Sequence, residues 1–187
     1  MKKIIIPLLL CVTLSLSGCG ASAAPQSFAA SQSESQVEYF FTRAHQHPEQ
    51  ALESQINSAK TSLDIAIYSL TKKDIVESII SAKKRGVYVR IITDRTEAKT
   101  KTQASELLLL KKANIPIKED THSGLMHMKV SIIDKSVVTT GSYNYTQNAS
   151  TDNDEVLVVI HDSKIASNWA DEFEQMWDDT KNYTEIK

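Results

Sequence analysis

The stretch MHMKVSIIDKSVVTTGSYN, Met126 to Asn144, decides how the rest of the chain is read. Its apolar and polar residues alternate with period two, as in two short strands joined by a turn. His127, Lys129 and Ser131 fall on one face of the first strand, and Met128, Val130 and Ile132 fall on the other, toward a core. An imidazole and an ammonium two residues apart make a place for a phosphate. Lysine supplies a point charge, and histidine attacks or transfers protons near neutral pH. Ser142 and Asn144, again two apart, add a hydroxyl and an amide for the same oxygens. Asp134 belongs to the Asp134-Lys135 turn, off the His127 face, and reads as a structural turn or salt-bridge residue.

Outward from this stretch, the chain alternates strand and helix. Val37 to Phe41 reads as a strand and Pro48 to Lys60 as a helix with proline in its first turn. Leu63 to Leu70 is apolar almost throughout, which suits a strand buried on both faces. The next helix has Thr71 as a candidate cap, Ile75, Val76, Ile79 and Ile80 on one stripe, and Gly86 as its stop. Val87 to Asp94 is a strand, Lys99 to Asn114 a helix and Ile115 to Lys118 a short strand. This order predicts an α/β sheet covered by helices, with parallel pairing in its first half. Beyond the motif, Glu155 to Ile160 reads as a buried strand. Ile165, Trp169, Phe173, Met176 and Trp177 then recur at helical spacing as a core stripe.

Composition limits what such a chain can be. At 187 residues, 41% hydrophobic and 24% charged, it fits one globular domain. Formal net charge is −2, and removing the first 19 residues takes away Lys2, Lys3 and no acid, leaving −4. A polyanion would therefore be held by a local site and not by the overall field. Met1-Lys2-Lys3 followed by the apolar run Ile4 to Leu16, short of the roughly 20 residues of a membrane span, reads as an export signal over residues 1–19. Leu16-Ser17-Gly18-Cys19 resembles a bacterial lipobox, with Cys19 as the lipidated residue, while Ala21-Ser22-Ala23 offers a site for ordinary release. The chain is thus expected to be exported, either as a membrane lipoprotein or as a released protein. Residues 20–36, rich in Ala, Ser and Gln, read as a flexible tether ahead of a domain spanning 37–187. Cys11 and Cys19 are the two cysteines, so the predicted domain has no disulfide and no thiol nucleophile.

The full string His127-x-Lys129-x4-Asp134-x6-Gly141-Ser142-x-Asn144 resembles, without a gap, the HKD motif of the phospholipase D superfamily, HxKx4Dx6GSxN. The likeness runs from about Val37 to Trp177 and looks closest to the small single-motif branch of exported bacterial endonucleases. It implies a phospholipase D-like mixed α/β sheet flanked by helices. It also implies His127 as a nucleophile forming a phosphohistidine, with Lys129 and Asn144 as phosphate ligands, Ser142 as a hydrogen-bond partner and Glu155 as the carboxylate orienting the imidazole.

A displacement at phosphorus also needs a proton donor at the leaving oxygen. One HxK cannot serve both sides, and His45, His47, His122 and His161 carry no companion pattern. A second copy of His127 across a two-fold axis supplies the donor, and the resemblance likewise implies a homodimer with one shared site. No cofactor and no metal are expected. Asp120, His122 and His127 match no ligand spacing, and Lys129 would repel a divalent ion. Thr93-Asp94-Arg95 and Lys99 to Lys101 are candidates for the groove rim. Three functions follow: a nuclease acting on DNA or RNA, a phospholipase D acting on headgroups, or a non-enzymatic polyanion-binding lipoprotein. No apolar lid is evident for acyl chains, which favours the nuclease.

Overall fold

The computed structural model describes residues 36–186. The export signal, Cys19 and residues 20–35 lie outside the described residues. Gln36, expected as the end of the tether, is instead the first residue of strand β1 (Gln36–Phe41). A 3-10 turn at Thr42–Ala44 leads to helix α1 (Pro48–Ser58), which has Pro48 in its first turn. Then come β2 (Ser62–Ile67), α2 (Lys73–Lys84), β3 (Tyr88–Thr93), α3 (Lys101–Lys112) and β4 (Ile117–Asp120). The motif hairpin is β5 (Lys129–Ile133) and β6 (Val137–Gly141). It is followed by the short α4 (Gln147–Thr151), β7 (Val156–His161), α5 (Ser163–Asp178) and β8 (Tyr183–Glu185).

All eight strands form one mixed sheet in the order β1-β7-β6-β5-β2-β3-β4-β8. The parallel pairing expected in the first half holds for β2, β3 and β4. It does not hold for β1, which lies at the far edge, antiparallel to β7. Crossover helices force parallel neighbours only where helix and strands pack as a unit, and β1 reaches its partner through residues more than a hundred positions later. Strand β8 and helix α4 gave no sequence signal, being three and five residues long. The second helix also starts differently from expectation. Its N-cap is Lys72, one residue later than expected and with no side-chain cap, and the Thr71 and Lys72 N–H groups both bond the Tyr145 carbonyl at 2.9 Å.

Two apolar layers sandwich the sheet. On one face, Leu52, Ile56, Ile75, Ile79, Leu107 and Leu110 from α1, α2 and α3 cover Leu63, Ile65, Ile67, Val89 and Ile91. On the other face, α5 alone packs Ala166, Ala170 and Phe173 on Ala66, Ile92, Val130, Ile132 and Val138. The stripe expected on α5 is therefore core at Phe173, while Trp169, Met176 and Trp177 are only half-buried. Beneath α5, Arg90 forks onto Asp64 at 2.8 and 3.1 Å and onto Glu174 at 2.8 and 3.0 Å, so its buried charge is fully paired.

The β5–β6 turn is where the aspartate of the motif acts. Asp134 and Lys135 take φ of 52° and 51°, the left-handed geometry whose twist matches a hairpin. The Asp134 carboxylate turns away from the hairpin and accepts the backbone N–H groups of Lys60, Thr61 and Ser62 at 2.7 to 3.2 Å, and the Thr61 hydroxyl at 2.8 Å. It is a structural residue, as expected, but its partners are amides and not a cation. Burial pushes its carboxyl up, yet the bonds from Ser62, Thr61 and Lys60 outweigh this and hold it below the usual aspartate range. The stability it contributes is present above the unfolded value and is lost as pH falls through the lowered folded value. Replacing Asp134 by Ala should cost about 2–3 kcal/mol in urea unfolding at neutral pH, with the gap from wild type closing in strong acid.

Candidate active site

The parallel strands β2 and β3 end at one rim, and β5 begins there. His127 stands at this rim, two residues ahead of β5, in a segment pinned on both sides. The Met126 N–H donates to Asp94 Oδ2 at 3.1 Å, and the Met128 carbonyl accepts the Tyr68 N–H at 2.8 Å. Its ring is exposed and tilts at 53° against the Tyr68 ring, 4.5 Å between centroids. Lys129 opens β5, is only 6% exposed, and bends its ammonium back to the rim. Its Nζ lies 2.9 Å from the His127 carbonyl and 3.3 Å from each ring nitrogen of His127. Tyr68 covers the same ammonium, 5.0 Å from ring centroid to Nζ. Burial holds the Lys129 ammonium below the ordinary lysine range, opposed by the charge of Glu155. Ser131, next on this face, is fully buried and bonds the Tyr145 hydroxyl at 2.7 Å, so it supports the site without reaching its surface.

Strand β6 brings in the second half of the motif. At Gly141, φ is 135°, and a Cβ there would collide with the Val156 carbonyl, so glycine is required for β6 to pair with β7 at the rim. Ser142 is exposed, and its Oγ accepts the Val156 N–H at 3.1 Å. Asn144 is fixed between two fully buried tyrosines, Tyr143 bonded to Ser150 at 2.6 Å and Tyr145 bonded to Ser131. Burial pushes the Tyr145 hydroxyl up to about 12, so it remains a neutral donor or acceptor. The buried Asn144 Oδ1 bonds no protein group among the described residues, so the amide is not committed to a structural role.

Glu155 departs from expectation. It makes no hydrogen bond to His127; its carboxylate accepts Asn153 Nδ2 at 3.0 Å, and its field acts on Lys129. Strand β6 lies between β5 and β7, so the two side chains would have to reach toward each other across it, and Glu155 is turned to Asn153 instead. Glu155 instead lines a cavity of about 230 Å³ with Ser142, Phe41, Arg43 and Asp154.

The remaining histidines stay apart from His127. His47 meets Glu49 at 3.1 Å, His161 meets Glu38 at 2.9 Å across the β1–β7 pair, and His122 bonds the Ser123 carbonyl at 3.0 Å. Among the described residues, no group of three His, Cys, Asp or Glu side chains is placed to hold a metal ion. Asp120 is buried, with Oδ1 on the Arg95 N–H at 2.8 Å. Thr93 and Asp94 are fully buried supports of the rim, and Arg95 donates to the Thr121 carbonyl, while Lys99 and Lys101 are exposed. Sequence reasoning named Asp94 as part of the candidate groove rim, from its place at the C-terminal end of a buried strand, and missed Tyr68, Gln103, Tyr143 and Tyr145.

Residues 52–177 match the family model of the cardiolipin synthase, phospholipase D-like domain. The chain belongs to the phospholipase D-like family. It is 40% identical over 115 residues to phospholipase D of Rickettsia prowazekii, covering 62% of this chain and 55% of that protein. It is 34% identical over 123 residues to the mitochondrial cardiolipin hydrolase of Chlamydomonas reinhardtii, covering 66% of this chain and 54% of that one. The phospholipase D-like chain thus spans about half the length of these two relatives. Among solved structures, it resembles Nuc from Salmonella typhimurium, a phospholipase D family member. The TM-score is 0.76 at 30% identity, over 82% of this chain and 99% of that one. NucT from Helicobacter pylori gives 0.72 at 29% identity, over 82% and 100%. The mixed sheet with flanking helices is the fold that this family membership implies.

The lowered Lys129 value carries a pH signature. Any turnover that depends on the Lys129 ammonium should fall on the alkaline side at a pH below the ordinary lysine value of about 10.4, as the ammonium is lost. In a Lys129→Arg variant that limb should be absent from whatever activity remains, because a guanidinium stays charged. A pH–rate profile of both proteins checks this.

Proposed function

We propose that this protein is a phosphodiesterase with His127 as nucleophile, and that its substrate is nucleic acid. The observation that carries the nucleic-acid reading is the likeness of the fold to Nuc and NucT, with TM-scores of 0.76 and 0.72 at 30% and 29% identity. This accords with the motif's likeness to the single-motif branch of exported endonucleases. Contacts to phosphate carry no base information, so cleavage would be nonspecific in sequence.

In this reading the phosphate sits beside Lys129, with Asn144 and Ser142 on its non-bridging oxygens. A nitrogen of His127 bonds to phosphorus as the P–O bond opposite it breaks. The departing oxygen takes a proton from the imidazolium of a second copy of the chain. Water then attacks the phosphohistidine, returns a proton to that second imidazole and releases His127 and a phosphomonoester. Lys129 supplies the positive charge, so the scheme requires no metal and no cofactor. Glu155 would orient His127 only by leaving Asn153.

The two-copy site has a supporting feature. Val37, Tyr39 and Phe41 are 51%, 60% and 45% exposed along one face of β1, an apolar strip that α5 leaves uncovered. It ends at Phe41, in the cavity shared with Ser142 and Glu155. The same reading has the chain exported, either anchored through a lipid on Cys19 or released near Ala23.

Headgroup hydrolysis is the second reading, favoured by an apolar cavity of about 330 Å³ lined by Met128, Val130, Ile132, Trp169, Phe173 and Met176. Met128 adjoins His127 in sequence, but the cavity lies on the α5 face, across the sheet from the Lys129 ammonium. The full-length chain, in excess chelator, should cleave plasmid DNA or RNA and leave phosphatidylcholine vesicles intact. Headgroup release alone would replace the nuclease by a phospholipase D. The substitution His127→Ala should reduce turnover by about a thousandfold or more; binding without turnover in the wild type would leave only a polyanion-binding protein.

A further inference from the structure

The geometry points to Tyr68 as a positioning residue for His127 and Lys129: its ring is the wall that fixes the imidazole and confines the ammonium beside it. This rests on the reading of His127 as nucleophile. The His127 ring is exposed, and no carboxylate among the described residues bonds it, so little else limits its rotamers. The Tyr68 ring does so at 4.5 Å, and lies 5.0 Å from the Lys129 ammonium on the same side. A ring face attracts a cation and excludes water from it, so one side chain sets both groups.

Tyr68 is itself held with little freedom. It begins the turn after β2, and that turn is clamped from below by Gln103 of α3, which is fully buried. Gln103 accepts the Leu70 N–H at 2.7 Å and donates to the Thr93 hydroxyl at 2.9 Å and to the Tyr68 carbonyl at 3.3 Å. Thr93 in turn donates to the Ile67 carbonyl at 2.8 Å. From above, the turn bonds both halves of the motif. The Tyr68 N–H reaches Met128, and the Ser69 carbonyl accepts the Tyr145 N–H at 3.0 Å. A residue anchored to the segments of His127 and Asn144 is in place to register them against each other. The groups facing this assembly are His127 and Glu155 at Lys129, and Asp94 and Glu97 at the Tyr68 hydroxyl. Burial, with Glu97 and Asp94, raises that hydroxyl, so the ring stays neutral where the site would work.

The test uses the full-length chain and bis(4-nitrophenyl) phosphate as the probe. The substitution Tyr68→Phe keeps the ring and should stay within about threefold of wild type. Tyr68→Leu and Tyr68→Met keep apolar bulk at a half-buried position without a ring. Each should lose about tenfold or more in kcat with KM little changed. Their alkaline limb should move up toward the ordinary lysine range as water reaches Lys129. Unchanged thermal unfolding midpoints would separate this from a loss of fold. Wild-type kcat and an unmoved limb in both ring-less variants would overturn the inference. So would Phe failing as badly as Leu, which would assign the effect to the hydroxyl. If His127→Ala keeps turnover, the nucleophile reading fails first, and that outcome is distinct from either of these.

Discussion

The antiparallel pairing of β2 with β5 in the middle of the mixed sheet is the constraint on which the site depends. It joins the parallel half of the sheet to the motif hairpin, from Leu63 opposite Ile133 to Ile67 opposite Lys129. A one-residue slip would turn His127 and Lys129 to the α5 face and send Met128 and Val130 to the site, since side chains alternate along a strand. Both ends of this pair are locked by bonds that tolerate no slip. At one end the Asp134 carboxylate gathers three successive N–H groups, from Lys60 to Ser62, where β2 begins. At the other, the Tyr68 N–H closes on the Met128 carbonyl at 2.8 Å. The aspartate that completes the motif string therefore acts on the His127 site from the opposite end of the strand, by fixing register.

Above that pairing, the rim is built from buried polar groups that are nearly all satisfied. Asp94 bonds Met126, Thr96 and Glu97, and Gln103 uses three of its four bonding positions. Leaving any of these partners unpaired in the interior costs about 1–3 kcal/mol per group, so the turn around Tyr68 has few alternative arrangements. The exposed groups, His127 and Ser142, stand on this stiff base. Rigidity below and access above are what a site that must hold a phosphate in line requires.

Much of this was legible in the sequence because it is local. Alternation placed Met128, Val130 and Ile132 toward the core, where they lie under α5, and the turn chemistry of Asp134-Lys135 put the aspartate off the His127 face, where it bonds the start of β2. The long-range terms were not legible. Nothing in Val37 to Phe41 says that the strand joins β7, and nothing in Glu155 says that β6 will stand between it and His127. Tyr68 read only as one more apolar residue of a buried strand, although the strand ends at Ile67 and the ring turns to the rim. Thr71 looked like a cap because cap rules are local, but the Tyr145 carbonyl, more than seventy residues on, holds the Thr71 and Lys72 N–H groups and the helix starts one residue later. The aromatic spacing on α5 matched a core stripe. How far the core extends, however, depends on a second helix covering that face, and α5 packs there alone, leaving Trp169 and Trp177 half-exposed.

Charge placement, finally, resolves an apparent conflict. A chain of net charge −2 has no attractive field for a polyanion at distance, and exposed lysines such as Lys99 and Lys101 act through water and salt. Lys129 is different because it is 6% exposed and walled by Tyr68. A charge in such a place is unscreened over a few ångströms and acts far more strongly on an oxygen in contact with it than a surface ammonium does. The cost of keeping it there is visible as its lowered pKa, and Glu155 offsets part of that cost without pairing directly with the ammonium. An ion pair in contact would have satisfied Lys129 and closed it to phosphate. Engaged with Asn153, the carboxylate steadies the charge without bonding the ammonium. The contact that keeps Glu155 from His127 in this arrangement thus also leaves Lys129 available to phosphate.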